Sequence, residues 1–486
     1  MPKSLTSKSL TSKPLKPGSL ADWLQYLETL HPVGIDMGLE RVSQVATRMG
    51  LLTRPIATRV ITVAGTNGKG STLAMMDALA RSHGLRTGTY TSPHLLRYNE
   101  RVTINGQEAE DHQLVEGFAE VEAARLQEPA ISLTYFEAGT LCALWCLAKA
   151  KLDLALLEVG LGGRLDAVNI IDADVGVVTT IAQDHANFLG TDIDQIGREK
   201  AGIFRPLKPA VLGSQSLPVS VADSATAISA PVYSLGVAFS HSLLAGSDQR
   251  TARNAGSNLI ESGLIETGIV KHDVTEHGPI GGVRESNDTT SASWCWYGLN
   301  VDGETISLNG LPDPGLPIDN AATALQALSL GGVLLTTKAC CDALQSVRLP
   351  GRMQWLGQWC LDVGHNPHAA EYVARRLPMP PPGGRQWALI GMLNDKDADG
   401  VIDALLPRIT DWVCVTLEGE RGRPAAELAE RITSRGGSVR YCAASPEEGV
   451  SALAESLTLD DRVLATGSFF TVAALLANPL PQARQA

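Results

Sequence analysis

The stretch VITVAGTNGKGSTLAMMDALA, residues 60–80, predicts a buried strand, a glycine-rich loop and a helix in direct succession. In this context backbone N–H groups and a helix N-terminus can hold phosphate oxygens. The spelling differs from the common G-x-x-x-x-G-K-[ST] loop, because Val63 takes the place of the first glycine and Gly70 separates Lys69 from Ser71. A glycine-rich turn without a ligand is the alternative. We interpret the loop as a nucleotide phosphate site formed by Gly68, Lys69, Gly70 and Ser71.

The same strand–helix alternation continues along the chain. Short apolar runs at residues 87–92, 152–160 and 175–181 are typical of parallel strands that are covered on both faces, and amphipathic helical segments lie between them. After a long helical segment at residues 319–332, a second series of strands and helices reaches the C-terminus. We therefore predict an α/β fold with a mostly parallel sheet and a second, smaller Rossmann-like α/β domain.

The domain organisation follows from changes in composition. Residues 1–19 are basic and Ser-rich, which predicts a disordered tail, with a transit peptide as the alternative. We expect a larger domain that carries the phosphate loop at residues 20–347 and the C-terminal domain at 348–486. About 240–293, a stretch rich in Ser, Asn, Thr and Gly predicts a polar surface insertion.

Composition excludes several function classes. The net charge of −12 argues against a general nucleic-acid or anionic-membrane partner, so an anionic substrate needs local positive groups or metal ions. No apolar run approaches the roughly 18 residues of a membrane span. Eight scattered cysteines without a C-x-x-C pair favour a reducing, cytoplasmic setting over a disulfide framework or a zinc site.

Polar residues follow the predicted strands, at the sheet edge where ligands of open α/β folds bind. Ser92 and Glu158 end two strands, and Asp184 and His185 follow a third. Each has an ordinary structural alternative: a helix cap, a buried ion pair, a structural imidazole. Together, beside a phosphate loop, their oxygen ligands suit Mg²⁺, and the imidazole allows Mn²⁺ to substitute. Lys200, near the start of another predicted element, is by itself more typical of a surface charge.

These segments resemble the folylpolyglutamate synthase/dihydrofolate synthase family of the Mur ligase superfamily. The resemblance runs from about residue 20 to the C-terminus, interrupted by the polar insertion. The G-K-G-S form of the loop is that of the folate branch, whereas Mur ligases that act on peptidoglycan precursors typically have G-K-T. The motifs that carry it are GTNGKGS, TSPHL–YNERV, YFEAGT, EVGLGGRLDAVN, DHANFLGTDIDQIGREKAGIF, PGRMQ and DVGHNP.

The resemblance implies an ATP-dependent ligase with a P-loop-containing Mur-ligase-type ATPase domain. In the implied reaction a substrate carboxylate attacks the γ-phosphate of ATP to give an acyl phosphate, and the amine of L-glutamate then attacks that carbonyl. Two Mg²⁺ ions and the lysine of the loop would offset the negative charge. The implied acceptors are dihydropteroate and folates, and we expect a monomer without nucleic-acid or membrane partners.

The resemblance also assigns roles to individual positions. Lys69, His185 and Lys200 would be catalytic, with Lys200 carbamylated so that its new carboxylate helps to hold a metal ion. The implied metal ligands are Ser92, Glu158, His185 and Lys200. The implied nucleotide contacts beyond the loop are Asn320, Arg352, Asp362 and His365. The implied contacts to the pteroate are Tyr135, Phe136, Glu137, Arg164 and Asp166, with Phe136 as a plain core residue the alternative.

Three other interpretations remain open from the sequence. A folylpolyglutamate synthase with one activity is the nearest, although HPVGIDMGLERV and YFEAGT resemble the bifunctional bacterial enzymes more closely. A ligase for a cell-wall or storage-peptide precursor and a non-catalytic nucleotide sensor are the others. One departure from the family pattern is Gly364, which replaces the usual alanine of D-x-A-H-N and which we expect to matter little.

Overall fold

The computed structural model describes residues 17–31, 36–184, 186–244 and 293–481. It contains a larger α/β unit built on an eight-stranded sheet and a smaller α/β unit built on a six-stranded sheet. This arrangement confirms the predicted fold class. The domain limits near residues 19 and 347 stay predictions, and residues 1–16 lie outside the described part.

The larger sheet has the order β4-β3-β2-β5-β1-β6-β7-β8. All neighbours from β2 to β8 pair in parallel, whereas β3 and β4 add an antiparallel edge. The predicted strands at residues 60–65, 87–92, 152–160 and 175–181 correspond to β1, β2, β5 and β6. The eight strands are β1 Ala57–Ala64, β2 Thr87–Tyr90, β3 Val102–Ile104, β4 Gln107–Glu108, β5 Leu152–Glu158, β6 Val175–Val178, β7 Ala210–Leu212 and β8 Val232–Ser234.

Helices cover both faces of this sheet, which is why β1 and β5 are mostly apolar and largely buried. Along β5, Ala155 and Leu157 enter the core on one face, and Leu154 and Leu156 enter the core on the other. Two 3₁₀ turns, Tyr98–Arg101 and Ala167–Ile170, complete the unit. Its helices are α1 Leu20–Leu27, α2 Glu40–Arg48, α3 Lys69–Ser82, α4 Asp111–Arg125, α5 Tyr135–Lys149, α6 Ala186–Leu189, α7 Ile193–Ala201, α8 Val219–Ala227, α9 Ile318–Leu330 and α10 Thr337–Ser346.

A three-stranded antiparallel sheet packs on α9, and the sequence patterns did not predict it. Its strands are β9 Ser240–Leu243, β10 Ser293–Leu299 and β11 Thr305–Pro312. Ser240 and Ser293, near the two ends of the predicted insertion at about 240–293, belong to paired strands, and the insertion itself stays a prediction. Residues 245–292 lie outside the described part. Trp296 of β10 is buried and donates its indole N–H to the carbonyl of Ala322, which joins this sheet to α9.

The smaller unit has the strand order β12-β13-β17-β14-β15-β16, parallel except for the β12–β13 hairpin. Its strands are β12 Gln354–Leu356, β13 Trp359–Leu361, β14 Gln386–Ile390, β15 Asp411–Val415, β16 Val439–Ala443 and β17 Arg462–Thr466. Its helices are α11 Pro367–Arg376, α12 Ala398–Leu405, α13 Ala425–Ser434, α14 Pro446–Ala454 and α15 Phe469–Leu476. In the described ranges no helix is both long and apolar enough to cross a bilayer.

Candidate active site

The glycine-rich loop connects β1 to α3 and requires glycine at two positions. Gly65 has φ +151°, and a Cβ built there would lie 1.9 Å from Thr179 Oγ1. Gly68 has φ +86° and packs against the side-chain amide of Asn320, 2.9 Å from such a Cβ. The hydroxyls of Thr179 and Thr180 both donate to the carbonyl of Asn67 and hold the loop from the side of β6. The helix α3 then begins at Lys69, so its N-terminus faces the loop.

The partly buried Lys69 and the buried Lys200 converge on one carbonyl of this loop. The Nζ of Lys69 donates to the carbonyl oxygens of Gly65, at 3.1 Å, and Thr66, at 3.3 Å, and Lys200 Nζ donates to the same Gly65 oxygen at 3.0 Å. Burial lowers the pKa of Lys69, and burial together with the nearby charge of Lys69 lowers the pKa of Lys200 to about 7. Two ammonium groups this close favour an anion between them. Lys200 lies in the last turn of α7, so the expected position near the start of an element is wrong.

Glu158 is a buried carboxylate beside these lysines. It is the last residue of β5, only 6% exposed, and its Oε2 accepts a hydrogen bond from the backbone N–H of Ser92 at 3.2 Å. Burial raises the pKa of Glu158, and the charge of Lys69 opposes that rise. Among the described residues no ion pair within 4.0 Å reaches Glu158. Ser92 follows β2 and does not cap a helix, so the structure brings Ser92, Glu158 and Lys200 to one cavity.

The third predicted metal ligand, His185, lies outside the described residues. Its neighbour Asp184 is described and faces the smaller unit. The carboxylate of Asp184 contacts Lys396 Nζ at 2.5 Å and His365 Nε2 at 3.4 Å. Within the described ranges no cluster of three or more His, Cys, Asp and Glu side chains forms. The buried carboxylate of Glu158 and the hydroxyl of Ser92 are nevertheless oxygen donors of the kind that Mg²⁺ or Mn²⁺ accepts.

A cavity of about 430 Å³ lies between the two units and is lined by the loop on one side. Asn320, in the first turn of α9, donates to Ser71 Oγ at 2.8 Å, and Arg352 and Asp362 line the opposite wall. Asp362 accepts from the N–H groups of Met353 and Gly364; burial raises its pKa, and the nearby charge of Arg352 opposes the rise.

His365 lines the neighbouring cavity that contains both lysines and Glu158. Its Nδ1 lies 3.0 Å from the carbonyl oxygen of Val363. A Cβ added at Gly364 would approach Asp362 Oδ1 to 2.9 Å, so alanine at this position requires a shift of that carboxylate. The expectation that Gly364 matters little therefore overlooked a close approach.

A third cavity of about 290 Å³ adjoins the lysine cavity and shares Ser92 with it. Phe136 and Glu137, from the first turn of α5, and the buried Asp166 line it. Phe136 also packs on Gly160, so it is a partly buried wall residue and not a core residue. Burial raises the pKa of Asp166 to about 6. The cavity is mainly apolar with three carboxylates, those of Asp36, Glu137 and Asp166, which suits a flat, N–H-bearing ring.

Two predicted pteroate contacts lie elsewhere. Tyr135 packs edge-on against Tyr98 and does not line the third cavity. The guanidinium of Arg164 is more than half exposed and pairs with Glu199 at 2.8 Å. The cation that lines this cavity is Arg101, whereas Arg41 is not a lining residue but donates to Glu137 Oε1 at 3.0 Å.

Other site residues also escaped the sequence interpretation. Sequence patterns did not predict a role for Lys396, or for Arg41 within HPVGIDMGLERV. Asn67 and Asn366 stood inside recognised motifs but received no role. A lysine or asparagine directly after a predicted strand was the available signal. Their partners are far away in sequence, and sequence patterns do not give such pairs.

Comparison with known proteins places these features in a family. Residues 63–246 match the sequence model of the Mur ligase middle domain, and residues 351–469 match that of the Mur ligase glutamate ligase domain. A dihydrofolate synthase/folylpolyglutamate synthase of Escherichia coli K12 is 43% identical over 457 residues, covering 93% of this chain and 94% of the relative. The protein of that name from Haemophilus influenzae is 37% identical over 476 residues, covering 93% and 96%.

Solved structures of proteins with these names are similar to this chain over nearly its whole length. Escherichia coli FolC in complex with DHPP and ADP superposes with a TM-score of 0.79 at 41% identity, covering 96% of this chain and 98% of that one. The bifunctional folylpolyglutamate synthase/dihydrofolate synthase of Yersinia pestis complexed with AMPPNP and Mn ion has a TM-score of 0.79 at 41% identity, covering 96% of this chain and 99% of that one.

The two α/β units and the lysine-bearing loop between them define a Mur-type ligase, an ATP-dependent enzyme that forms C–N bonds. The chain belongs to the dihydrofolate synthase/folylpolyglutamate synthase family of these ligases.

Proposed function

We propose that the protein uses ATP to join L-glutamate to dihydropteroate, giving dihydrofolate, and to join further glutamates to folates. The observation that carries the proposal is the order of the three cavities. The cavity with Lys69, Lys200 and Glu158 adjoins the nucleotide-sized cavity at Gly68 and the apolar cavity at Ser92. A carboxylate that extends from a ring in the apolar cavity therefore meets a γ-phosphate at the two lysines.

The charges of the site fit the first chemical step. A carboxylate that attacks the γ-phosphate approaches a polyanion, so the reaction is slow unless positive charge offsets the repulsion. Lys69 sits at the start of α3 and brings an ammonium group and a helix N-terminus to the same point. Its present bonds to two loop carbonyls exchange for bonds to phosphate oxygens when ATP binds. The product of this step is an acyl phosphate and ADP.

The second step is attack by the amine of L-glutamate on the acyl carbonyl. The tetrahedral intermediate then collapses, the C–N bond remains, and phosphate leaves. Arg352 lies at the junction of the cavities, with its guanidinium over the ring of Phe469, 5.5 Å from the ring centroid. In this position Arg352 neutralises charge on the phosphoryl oxygens. Both walls of the site come from one chain, which supports a monomeric enzyme.

The metal ions are two Mg²⁺, for which Mn²⁺ can substitute. Ser92, Glu158, His185 and a carbamylated Lys200 would hold them, and the ions supply charge neutralisation at the polyphosphate. Glu158 supports this assignment because a buried carboxylate without an ion pair among the described residues is costly unless a cation is bound.

Carbamylation of Lys200 needs a neutral amine, because the nitrogen lone pair attacks the carbon of CO₂ and one N–H proton leaves. The burial of Lys200 and the adjacent charge of Lys69, which bring its pKa to about 7, support a substantial neutral fraction at physiological pH. The carbamate replaces a positive charge by a negative one. That change also relieves the repulsion between the two lysines.

A purified-protein assay tests the proposal. ADP release is measured with ATP, Mg²⁺ and L-glutamate, first with dihydropteroate and then with tetrahydrofolate as acceptor. Release with both acceptors is expected. Release with tetrahydrofolate alone would leave a folylpolyglutamate synthase with one activity, and no release with either acceptor would overturn the proposal.

A further inference from the structure

One contact between the phosphate loop and the smaller unit is made by the side chain of Asn67. Its Nδ2 donates to Asn366 Oδ1 at 3.0 Å, and Asn366 Nδ2 donates back to Asn67 Oδ1 at 2.9 Å. The two amides therefore satisfy each other across 299 residues of sequence. The second N–H of Asn67 Nδ2 lies 3.1 Å from His368 Nδ1. We call the Asn67–Asn366 pair the amide clasp.

The clasp joins two parts that are each held rigidly on their own side. On the loop side, Thr179 and Thr180 fix the backbone carbonyl of Asn67 at 2.7 and 3.0 Å, and Thr180 Oγ1 also accepts the Asn67 N–H. These bonds leave only the side chain of Asn67 to reach outward. The loop therefore presents one oriented amide to the smaller unit.

On the other side, Asn366 is the N-cap of α11. Its Oδ1 also accepts the backbone N–H of Ala369 at 3.0 Å, and the residue is only 3% exposed. The helix α11 carries much of the far wall of the nucleotide-sized cavity, including Tyr372 and Arg376. The orientation of Asn366 therefore sets where that wall lies relative to the loop.

We propose that the amide clasp is a positioning device that seats the first turn of α11 over the phosphate loop and so closes the nucleotide cavity for phosphoryl transfer. This inference rests on the proposed function. Asn67 and Asn366 contact each other and not the reacting atoms, so both are positioning residues. Since a neutral amide pair forms and breaks without burying a charge, it suits a contact that opens at each turnover to release ADP.

The test uses Asn67→Ala, Asn366→Ser and the double variant in the full chain. Serine is also a good N-cap, so Asn366→Ser keeps the end of α11 but is too short to reach Asn67. Each single variant is expected to lower kcat about tenfold with dihydropteroate, ATP and L-glutamate, because misplacement of the phosphates slows transfer. The double variant is expected to match the single ones, since each removes the same contact.

Two further measurements separate positioning from folding. The thermal midpoint of all three variants is expected to stay within about 2 °C of wild type, because the lost bonds are few and neutral. Distance measurements between labels on the two units, with a non-hydrolysable ATP analogue, are expected to show incomplete closure in the variants. Asn300→Ala is the matched control: that amide donates to Glu304 and accepts from two backbone N–H groups inside one hairpin, away from the site.

The outcomes are distinct. If Asn67→Ala and Asn366→Ser each keep kcat within twofold of wild type, or if their effects multiply in the double variant, the clasp has no positioning role. Label distances that show full closure of the two units in the variants also overturn the positioning role of the amide clasp. Absence of ADP release by the wild-type protein contradicts the proposed function instead.

Discussion

Asp184 of the larger unit and Lys396 of the smaller unit form an ion pair across the cleft, with Oδ1 and Nζ 2.5 Å apart. The side chains are only 10% and 7% exposed. Asp184 also lies 3.4 Å from His365 Nε2, and its charge raises the pKa of both Lys69 and Lys200, against the effect of burial. The pair therefore links the position of the smaller unit to the charge balance at the two lysines.

We predict that Lys396→Met lowers kcat/KM by at least about tenfold, because Asp184 loses its buried cation and the two units meet less well. Steady-state kinetics with dihydropteroate measure this effect. Lys208→Met is the control: Lys208 pairs with Asp174 at 2.9 Å but is half exposed, and such pairs contribute little. Equal kinetics in Lys396→Met and Lys208→Met would remove the interdomain role of Lys396.

Lys69→Ala is expected to abolish turnover. Removing a charge partner of the transition state costs about 3 kcal/mol or more, which is at least a hundredfold in kcat. Pre-steady-state ADP formation measures the phosphoryl-transfer step directly. Lys338→Ala, on the exposed face of α10, is the control for loss of a positive charge. Activity of Lys69→Ala within threefold of wild type would sink the assignment of the loop.

Lys200→Ala is expected to be nearly inactive and to recover part of its activity when acetate or another small carboxylate is added. The rescue is expected because the cavity that alanine leaves beside Gly65 and Glu158 can hold a free carboxylate in place of the carbamate. Mass spectrometry of the native wild-type protein gives a second readout, a mass increase of one CO₂. Full activity of Lys200→Ala without any additive would exclude the carbamate.

Gly65→Ala is expected to destabilise the loop and to abolish ATP binding. The added Cβ would lie 1.9 Å from Thr179 Oγ1, and φ is +151°, so the loop backbone or β6 has to move. Gly84→Ala is the control that separates backbone strain from the steric clash with Thr179. Gly84 has φ +80°, so alanine is strained there too, but the space around its Cβ position is open. Gly84→Ala costs about 1 kcal/mol in the free energy of unfolding. Chemical denaturation and nucleotide titration compare the two variants, and an equal effect of both would mean that the contact with Thr179 is unimportant.

The sequence predicted the parts of this fold that depend on local pattern. The apolar runs of β1 and β5 and the glycine-rich loop carry period and turn information within a few residues, so the α/β class and the phosphate site followed. The strands β9 and β10 flank a polar stretch about fifty residues long, and their pairing is non-local. For that reason neither strand was predicted from the sequence: β9 lies within the predicted insertion, and β10 begins at its end.

The same distinction holds at the site. Lys69, Glu158 and Lys200 stand in recognisable motifs and do meet in one cavity. Arg164 stands in an equally clear motif, yet the direction of its side chain depends on Glu199 in α7, which no local pattern reveals. Arg41 was not predicted as a site residue, because no local pattern reveals its partner. Its partner Glu137 lies 96 residues away.

Arg41 and Arg164 therefore offer a direct comparison of structure and sequence. Glu137 is buried and accepts from Arg41 and from the N–H of Thr134, so Arg41→Met leaves that carboxylate without its cation at the edge of the apolar cavity. We expect the KM for dihydropteroate to rise about tenfold or more, with the KM for ATP little changed, because the nucleotide-sized cavity is separate.

Arg164→Met breaks an exposed pair and is expected to change the KM for dihydropteroate less than threefold. Initial rates at varied dihydropteroate decide between them. A larger effect from Arg164→Met than from Arg41→Met would restore Arg164 as the substrate contact and remove Arg41.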